Sequence, residues 1–477
     1  MSLRGPAARL GAMTGQYRGF QPDARRFLLV TLVGGAATSL FWIDFNLYLA
    51  ALGFDDARIG IVVTAGSVAS ALAAFPASSW SDRIGRRLVM AAGAAASLLA
   101  VVGMIATADP TAILLLAALY GAGGQAVQVV AVPYMSEHSE PAHRNELFAL
   151  QFAIGSATNV IAAALGGVLA RSLSDGLGFV PDSPDTYRII LVIMAVLFAA
   201  GLAVMLRLGD DRPAVVRRRQ LLATGEPAAY PAARRRGLSL SRLGLTIRDR
   251  RTFFRLLLPG LLIPIGAGQV IPFLNLFVQG KFGLDLAALN GVFALTSIGT
   301  MLAVLYQPTL ARRFGRLRSV ILVQGVSIPF LLVLGFSPVL WTVIAAMTVR
   351  NSLMNAGNPI FNAFAMDQVS HAERATLAAA MSLMWSIGWV IAGAYYSAVH
   401  AALGFDAGYT VNFITIMVLY TIATWLYWHW FREPGRDAAE PGAPGAPGNE
   451  PGNAAAAEPS PGRQAATKPG AAPAPTD

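Results

Sequence analysis

The chain has 477 residues, of which 55% are hydrophobic and 13% charged, about half the charge of an ordinary soluble domain. Single soluble cores stop growing near about 250–300 residues, so this much apolar surface excludes one large water-soluble domain and points to lipid. The absence of cysteine excludes disulfides and thiolate metal sites, and the net charge of +10 is carried almost wholly by arginine.

Residues 1–26 are polar and Arg-bearing, with no cleavable signal peptide, so the first apolar helix is expected to direct insertion itself. Apolar segments then follow near 27–50, 59–80, 88–107, 111–135, 146–171 and 187–207. A second set lies near 253–279, 286–310, 318–336, 339–365, 375–401 and 408–431. Each is long enough to cross about 30 Å of hydrocarbon at about 1.5 Å per residue. This predicts an all-α integral membrane protein with bundles at 27–207 and 253–431. The Arg-rich stretch 208–252, with Arg217–Arg219 and Arg234–Arg236, reads as a cytoplasmic linker near anionic lipid. The Ala/Pro/Gly-rich tail 432–477 lacks the large apolar residues that a fold needs.

If the chain starts inside and crosses twelve times, inside segments hold 31 of the 36 Lys and Arg residues. Outside segments hold Arg58, Arg171, Arg188 and Lys281, and Arg350 falls within span ten. That bias predicts both termini in the cytoplasm, with the protein in the cell (plasma or inner) membrane. The arginines are scattered over short loops without interleaved aromatics, which argues against nucleic acid. The expected partners are a small-molecule substrate, protons and membrane lipids, with the chain acting as a monomer.

The two sets of spans repeat. Gly85 and Gly315 differ by 230 positions, as do Arg83 and Arg313, Arg86 and Arg316, Glu137 and Asp367, and Arg144 and Arg374. Each pair follows the second or the fourth span of its half. Five pairs in order predict two pseudo-symmetric six-helix bundles in parallel orientation.

After the second span comes Ser78-Ser79-Trp80-Ser81-Asp82-Arg83-Ile84-Gly85-Arg86-Arg87. Here the chain resembles the major facilitator superfamily (MFS), whose loop pattern is G-x-x-x-D-R-x-G-R-R, with Ser78 standing where the family has its first glycine. The resemblance implies the MFS fold of twelve transmembrane helices and an inside latch. In that latch Asp82 meets a helix N-terminus, and Arg83, Arg86 and Arg87 meet acids at the inner ends of neighbouring helices. A carboxylate at a helix N-terminus contributes about 0.3–1 kcal/mol when exposed, a size that suits a switch. Glu137 with Arg144, and Asp367 with Arg374, share a seven-residue spacing and are the expected partners of Arg83, Arg86, Arg313 and Arg316. Arg312 stands where Asp82 has its counterpart, so the first-half latch should be stronger or differently wired.

Charges inside hydrocarbon cost a few kcal/mol or more and are kept with a partner or a role. The candidates are Asp44 on span one and Arg350 on span ten, at similar depth. The resemblance implies that spans one, four, seven and ten line the cavity. There the two can form a closed pair, a proton site with its modulator, or ligands for a polar substrate. Amides complete the candidate site: Asn46 and Asn275 at near-equivalent repeat positions, and Gln125 with Asn355 and Gln128 with Asn358 at the offset of 230. Phe41, Trp42, Tyr48, Trp385 and Trp389 either line an amphipathic pocket or pack. His400 and His429 lie near helix ends and read as interfacial.

There is no G-x-x-x-x-G-K-[ST] loop for a nucleotide, no metal-ligand spacing and no nucleophile–base set, so neither cofactor nor enzymatic chemistry is expected. Span five lacks the Gly-Pro step typical of many drug–proton exporters of the family. The expected function is secondary transport of a small organic solute by alternating access, coupled to protons. The alternatives are an uncoupled facilitator and a non-transporting receptor or scaffold on the same fold.

Overall fold

The computed structural model describes residues 20–139, 144–180, 182–212, 215, 249–370 and 373–432. The polar residues before 20, both linker arginine clusters and the tail beyond 432 lie outside the described residues. In the first half α1 (Pro22–Ala51), α2 (Asp56–Ile84), α3 (Arg86–Ala106), α4 (Pro110–Glu137), α5 (Arg144–Leu177) and α6 (Pro184–Met205) follow the expected spans. The second half has α7 (Arg250–Gly268), a 3-10 turn at Ile271–Phe273, α8 (Leu274–Phe282), α9 (Leu286–Phe314), α10 (Arg316–Phe336), α11 (Leu340–Asp367) and α12 (Arg374–Phe431). Nine helical segments among the described residues are long and apolar enough to cross a membrane, and a shorter apolar helix runs over Leu286–Met301.

Local chemistry starts the helices where the sequence changes from turn to apolar run. Asp55 accepts from Arg58 N at 2.8 Å, Asp109 from Ala112 N at 2.7 Å and Asp285 from Ala288 N at 2.6 Å, each satisfying a backbone donor that a helix start leaves free. Pro110 and Pro184 occupy first-turn positions, where a missing N–H costs nothing.

Two spans are not simple rods. Span seven is interrupted between Gly268 and Leu274, where Pro272 cannot donate to a helical ladder. The last helix carries Gly404 at φ 71° and ψ −164° and folds back there. Its arms are joined by Tyr395–Thr415 and Tyr396–Tyr409 hydroxyl contacts of 3.0 and 2.9 Å.

Within the first half α1 packs on α5 and α6, and α4 on α2 and α3. Within the second, α12 packs on α7, and α11 on α9 and α10. The halves meet where α2 lies against α12 and α5 against α9. Glycine permits both approaches: a Cβ on Gly60 would run into Tyr396, and one on Gly166 would stand 3.0 Å from Asn290 Oδ1. Leu72, Leu99, Leu115 and Trp341 are more than half exposed, as suits side chains whose solvent is hydrocarbon. One end of the bundle carries the turns at Gly85 and Gly315 and is the arginine-rich end. The opposite end, at residues 52–55, 178–183, 283–285 and Gly404, is called the far end.

Candidate functional site

At the arginine-rich end, α2 turns into α3 through Gly85 at φ 100° and ψ 145°, and α9 turns into α10 through Gly315 at φ 79° and ψ 163°. This region of backbone space is essentially reserved for glycine, so the repeat preserved the residue because it preserved the turn. Arg86 grips Glu137 with two bonds, Nε to Oε2 at 2.7 Å and Nη2 to Oε1 at 2.5 Å, and Asp82 lies 3.6 Å from the same guanidinium. In the second half Arg316 pairs with Asp367, so the 230 offset reproduces the ion pair. Arg374 donates to Met366 O at 3.1 Å, and the Arg144 side chain lies outside the described residues, as does that of Arg312.

The carboxylate at a helix N-terminus here is Asp211, not Asp82. Asp211 accepts from Arg86 N at 2.8 Å and from Arg87 N at 3.2 Å, while Arg87 Nη1 donates to Leu208 O at 2.9 Å. Asp82 and Arg83 are exposed, and neither Arg83 nor Arg313 joins an ion pair among the described residues. Arg313 instead lies over the Phe314 ring, 5.5 Å from its centre.

At the far end the halves are clasped together. Asn46 Nδ2 donates to Pro272 O at 2.6 Å, and Asn275 Nδ2 donates to Ile43 O at 2.7 Å. Each asparagine thus bonds the backbone three residues before the other, a reciprocal pair across the pseudo-twofold axis. The broken ladder of span seven supplies the acceptor that Asn46 uses. Asp44 is 2% exposed and accepts from Asn290 of α9 at 3.3 Å, while its Oδ2 has no partner. In the α5–α6 loop Asp182 reaches the second half, accepting from Leu286 N at 3.1 Å and from Gln279 Nε2 at 3.4 Å. Burial pushes its carboxyl above the usual carboxylate range, although bonds from Tyr187 and Leu286 pull the other way; nearby Asp285 raises it further. His400, expected at the interface with the membrane, is buried between the halves, its Nδ1 3.3 Å from Asp56 Oδ2.

Asp44 and Arg350 do not pair. Arg350, 4% exposed, points into its own half, donating to Tyr420 Oη at 3.0 Å and to Asn351 Oδ1 at 3.0 Å, with Nε unpartnered. Similar depth along two helices does not fix the direction in which side chains point, and here the directions diverge.

On the arginine-rich side of the Asp44–Asn290 contact, a cavity of about 700 Å³ opens between α1 and α5 of one half and α9 and α11 of the other. Thr31, Gln151, Ser156 and Asn159 face Thr296, Ser297, Thr300, Asn351 and Asn355 across it, with Phe148, Phe152 and Phe293 adding ring faces. No charged side chain is among these lining residues. A second cavity of about 590 Å³ lies within the second half and takes in Asn358, Gln324, Met384 and Trp385. Gln125 accepts from Ser70 at 2.9 Å inside the first half, and Gln128 is exposed. Of the aromatics, Phe41 stacks on Tyr120 at 3.8 Å, and Trp42 meets Trp389 edge-on at 6.0 Å across the seam.

Sequence reasoning missed Asn290, Asp211, Asp182 and the Asp56–His400 contact. Signals existed for two of them. Asn290 is a lone amide early in an apolar run, and Asp211 is an acid placed directly after span six.

A bundle of apolar helices whose halves meet at one end, around a polar cavity that continues toward the other, is the architecture of a membrane transporter. Residues 27–393 match the Major Facilitator Superfamily, and the chain belongs to that family. It is therefore a multi-pass membrane protein that transports a small-molecule solute and is not an enzyme. Among solved structures, the nucleoside transporter NupG is similar at TM-score 0.66 and 14% identity, over 87% of this chain and 100% of that one. A bacterial homologue of the human lysosomal transporter Spinster, inward-facing and occupied, is similar at TM-score 0.63 and 17% identity, over 88% and 98%. The D-xylose–proton symporter is similar at TM-score 0.66 and 12% identity, over 85% and 96%. Likeness at these identities establishes the fold alone. No curated protein matches the chain.

Proposed function

We propose that the chain carries a small, uncharged, polar organic solute by alternating access, with the arginine-rich end in the cytoplasm and Asp44 as the proton-coupling group. The observation that carries this reading is the cavity between the halves, lined by neutral hydroxyls, amides and phenyl faces. A charged solute left there would lack a counter-charge, which is expensive in a medium of low dielectric. Hydroxyl and amide side chains offer donors and acceptors to a hydroxylated solute, and phenyl rings offer a face to a sugar ring or a base. The names of two solved relatives in fold, a nucleoside transporter and a D-xylose–proton symporter, record solutes of that kind.

The arginine bias of the loops supports the orientation. With that orientation the arrangement is closed to the outside, and the cavity runs toward the cytoplasm. Asp44 is held by a residue of the opposite half, so opening the outer end removes its hydrogen-bond partner. Its protonation is thereby linked to which end is open. The latch residues Asp82 to Arg87 serve the opposite state, in which the arginine-rich ends come together.

Counterflow in proteoliposomes loaded with pentoses, hexoses, nucleosides and organic acids tests the solute class. Exchange of the organic acids alone overturns it. Solute-driven acidification tests coupling: Asp44→Asn should abolish it, cutting proton-coupled flux by at least about tenfold, as loss of a coupling group requires. Full coupled flux in Asp44→Asn removes Asp44 from this role. Uncoupled flux in the native chain supports a facilitator, in which Asn290 simply satisfies Asp44.

A further inference from the structure

We infer that Asp56 and His400 form a second proton-binding site, at the outer end, and that a proton bound there holds the outer end shut. This rests on the rocking of the halves proposed above and is independent of Asp44. Asp56 stands in the first turn of α2, and His400 lies four residues before the reversal of α12, so the contact joins the two halves. The imidazole has no exposed surface, whereas the Asp56 side chain keeps 19% of its own.

The second half builds a fitted cage for the ring. Tyr396 stacks on one face at 4.1 Å, Tyr409 meets it edge-on at 4.6 Å, and a Cβ on Gly408 would crowd it at 3.0 Å. Asn412 Nδ2 lies 3.2 Å from Nε2. Asn412 Oδ1 has no partner, so a half-turn of the amide lets the same residue donate to a bare Nε2 or accept from a protonated one. His400 Nδ1 makes no hydrogen bond among the described residues, since Asp56 Oδ2 stands 3.3 Å away without hydrogen-bond alignment. The acid is thus placed as the counter-charge of a protonated ring, while the rotatable amide serves Nε2 in either protonation state. A purely structural histidine needs only one.

The charges around the ring fix the sign. Asp56 is the carboxylate beside it, Tyr396 and Tyr409 are phenols, Arg58 lies 3.6 Å from Asp55, and Asp406 is exposed. The 3-10 turn contributes Phe273, stacked on Tyr396 and without charge. A protonated imidazole buried here is compensated by Asp56, and that acid belongs to the half that moves away. The closed outer end therefore binds the proton more tightly than the open one, and falling outside pH favours closure.

The chain contains no cysteine, so spin labels can be placed without background. Val180→Cys and Val339→Cys, at exposed outer positions on opposite halves, report the outer gap in the full chain in liposomes. Asp44→Asn and Asp182→Asn are included throughout, since the proposed role of Asp44 and the raised carboxyl of Asp182 would each add a pH response of their own at the outer end. From pH 8 to pH 5 the short-distance population is expected to rise at least about fivefold, the low end of coupling between linked sites. His400→Gln and Asp56→Asn should each remove that rise, and Asp56→Asn guards against a packing defect at His400. A rise that persists in both variants, or none in the native pair, overturns the inference. Solute counterflow in the same liposomes reports transport separately: if it persists while the pH response ignores both variants, only this inference falls.

Discussion

The turns at Gly85 and Gly315 share a backbone conformation and an Arg-to-acid pair 51 residues apart, yet their surroundings differ. A Cβ on Gly85 would stand 3.0 Å from Asp211 Oδ1 and 3.2 Å from Arg212 Cα, whereas one on Gly315 would meet nothing within 4 Å. The first turn is closed by the segment that leaves α6, and Arg86, only 19% exposed, takes Glu137 with two bonds. Arg316 is 51% exposed. Duplication kept what the backbone requires and let the load on it diverge, so the copies share a geometry without sharing an energy.

Glycine replacement is the strongest way to break that comparison. Gly85→Ala meets both the forbidden backbone region and the Asp211 carboxylate, whereas Gly315→Ala meets the backbone term alone. The strain is about 1–3 kcal/mol in each, and disturbing the Asp211 cap adds about 1 kcal/mol for Gly85. Melting in detergent should therefore show the larger drop for Gly85→Ala. Equal drops would mean that Asp211 does nothing for the first turn.

The far end supplies the symmetric contrast. Asn46→Ala and Asn275→Ala each remove one side-chain-to-carbonyl bond of a reciprocal pair, at about 0.5–1.5 kcal/mol. The two losses should match, read as the fraction of chains with the spin-labelled outer gap open. A clear inequality would break the pseudo-twofold account of the clasp, while leaving the turns unequal for reasons of their own.

Much of this was legible in the sequence because it concerned spacing. The offset of 230 located both ion pairs, and Asn46 and Asn275 were singled out as near-equivalent. What was not legible depends on direction around a helix axis or on chain reversal. Asp44 and Arg350 were matched by depth, but depth leaves azimuth free, and Arg350 turns toward Tyr420. His400 reads as interfacial because it stands near the end of span eleven; the reversal before span twelve is legible, but which helix faces meet across it, placing Tyr409 and Asn412 beside the ring, is again a matter of azimuth. The break in span seven is signalled by Pro272, which reading the span as one apolar run ignores; Pro259 and Pro264 lie within the unbroken helix before it.

Asp182 gives a smaller, pH-resolved test of the same far end. Its carboxyl is raised by burial, so its favourable contribution is present below the usual carboxylate value of about 4 and is lost as pH rises through the raised one. Asp182→Asn keeps the acceptor for Leu286 N, removes the charge and tolerates the positive φ of 61°. Melting of this variant should be flatter with pH above about 4 and no lower than the native chain near neutrality. A drop at neutral pH would show that the ionised carboxylate, despite its burial, is what holds α9.

The smallest effects return to the two ion pairs, where a double-mutant cycle isolates the coupling from the damage of each single change. For Arg86 and Glu137 two bonds and partial burial should give a coupling near about 1 kcal/mol; for exposed Arg316 and Asp367 it should lie near the low end of about 0–1 kcal/mol. Truncating Arg86 also disturbs the Asp82 contact, so Asp82→Asn is carried through both arms of the first cycle to remove that term. High salt should shrink the second coupling more than the first, because screening acts most on exposed charge. Equal couplings with equal salt sensitivity would show that the two copies bear the same load, and that the asymmetry between the turns stops at the backbone.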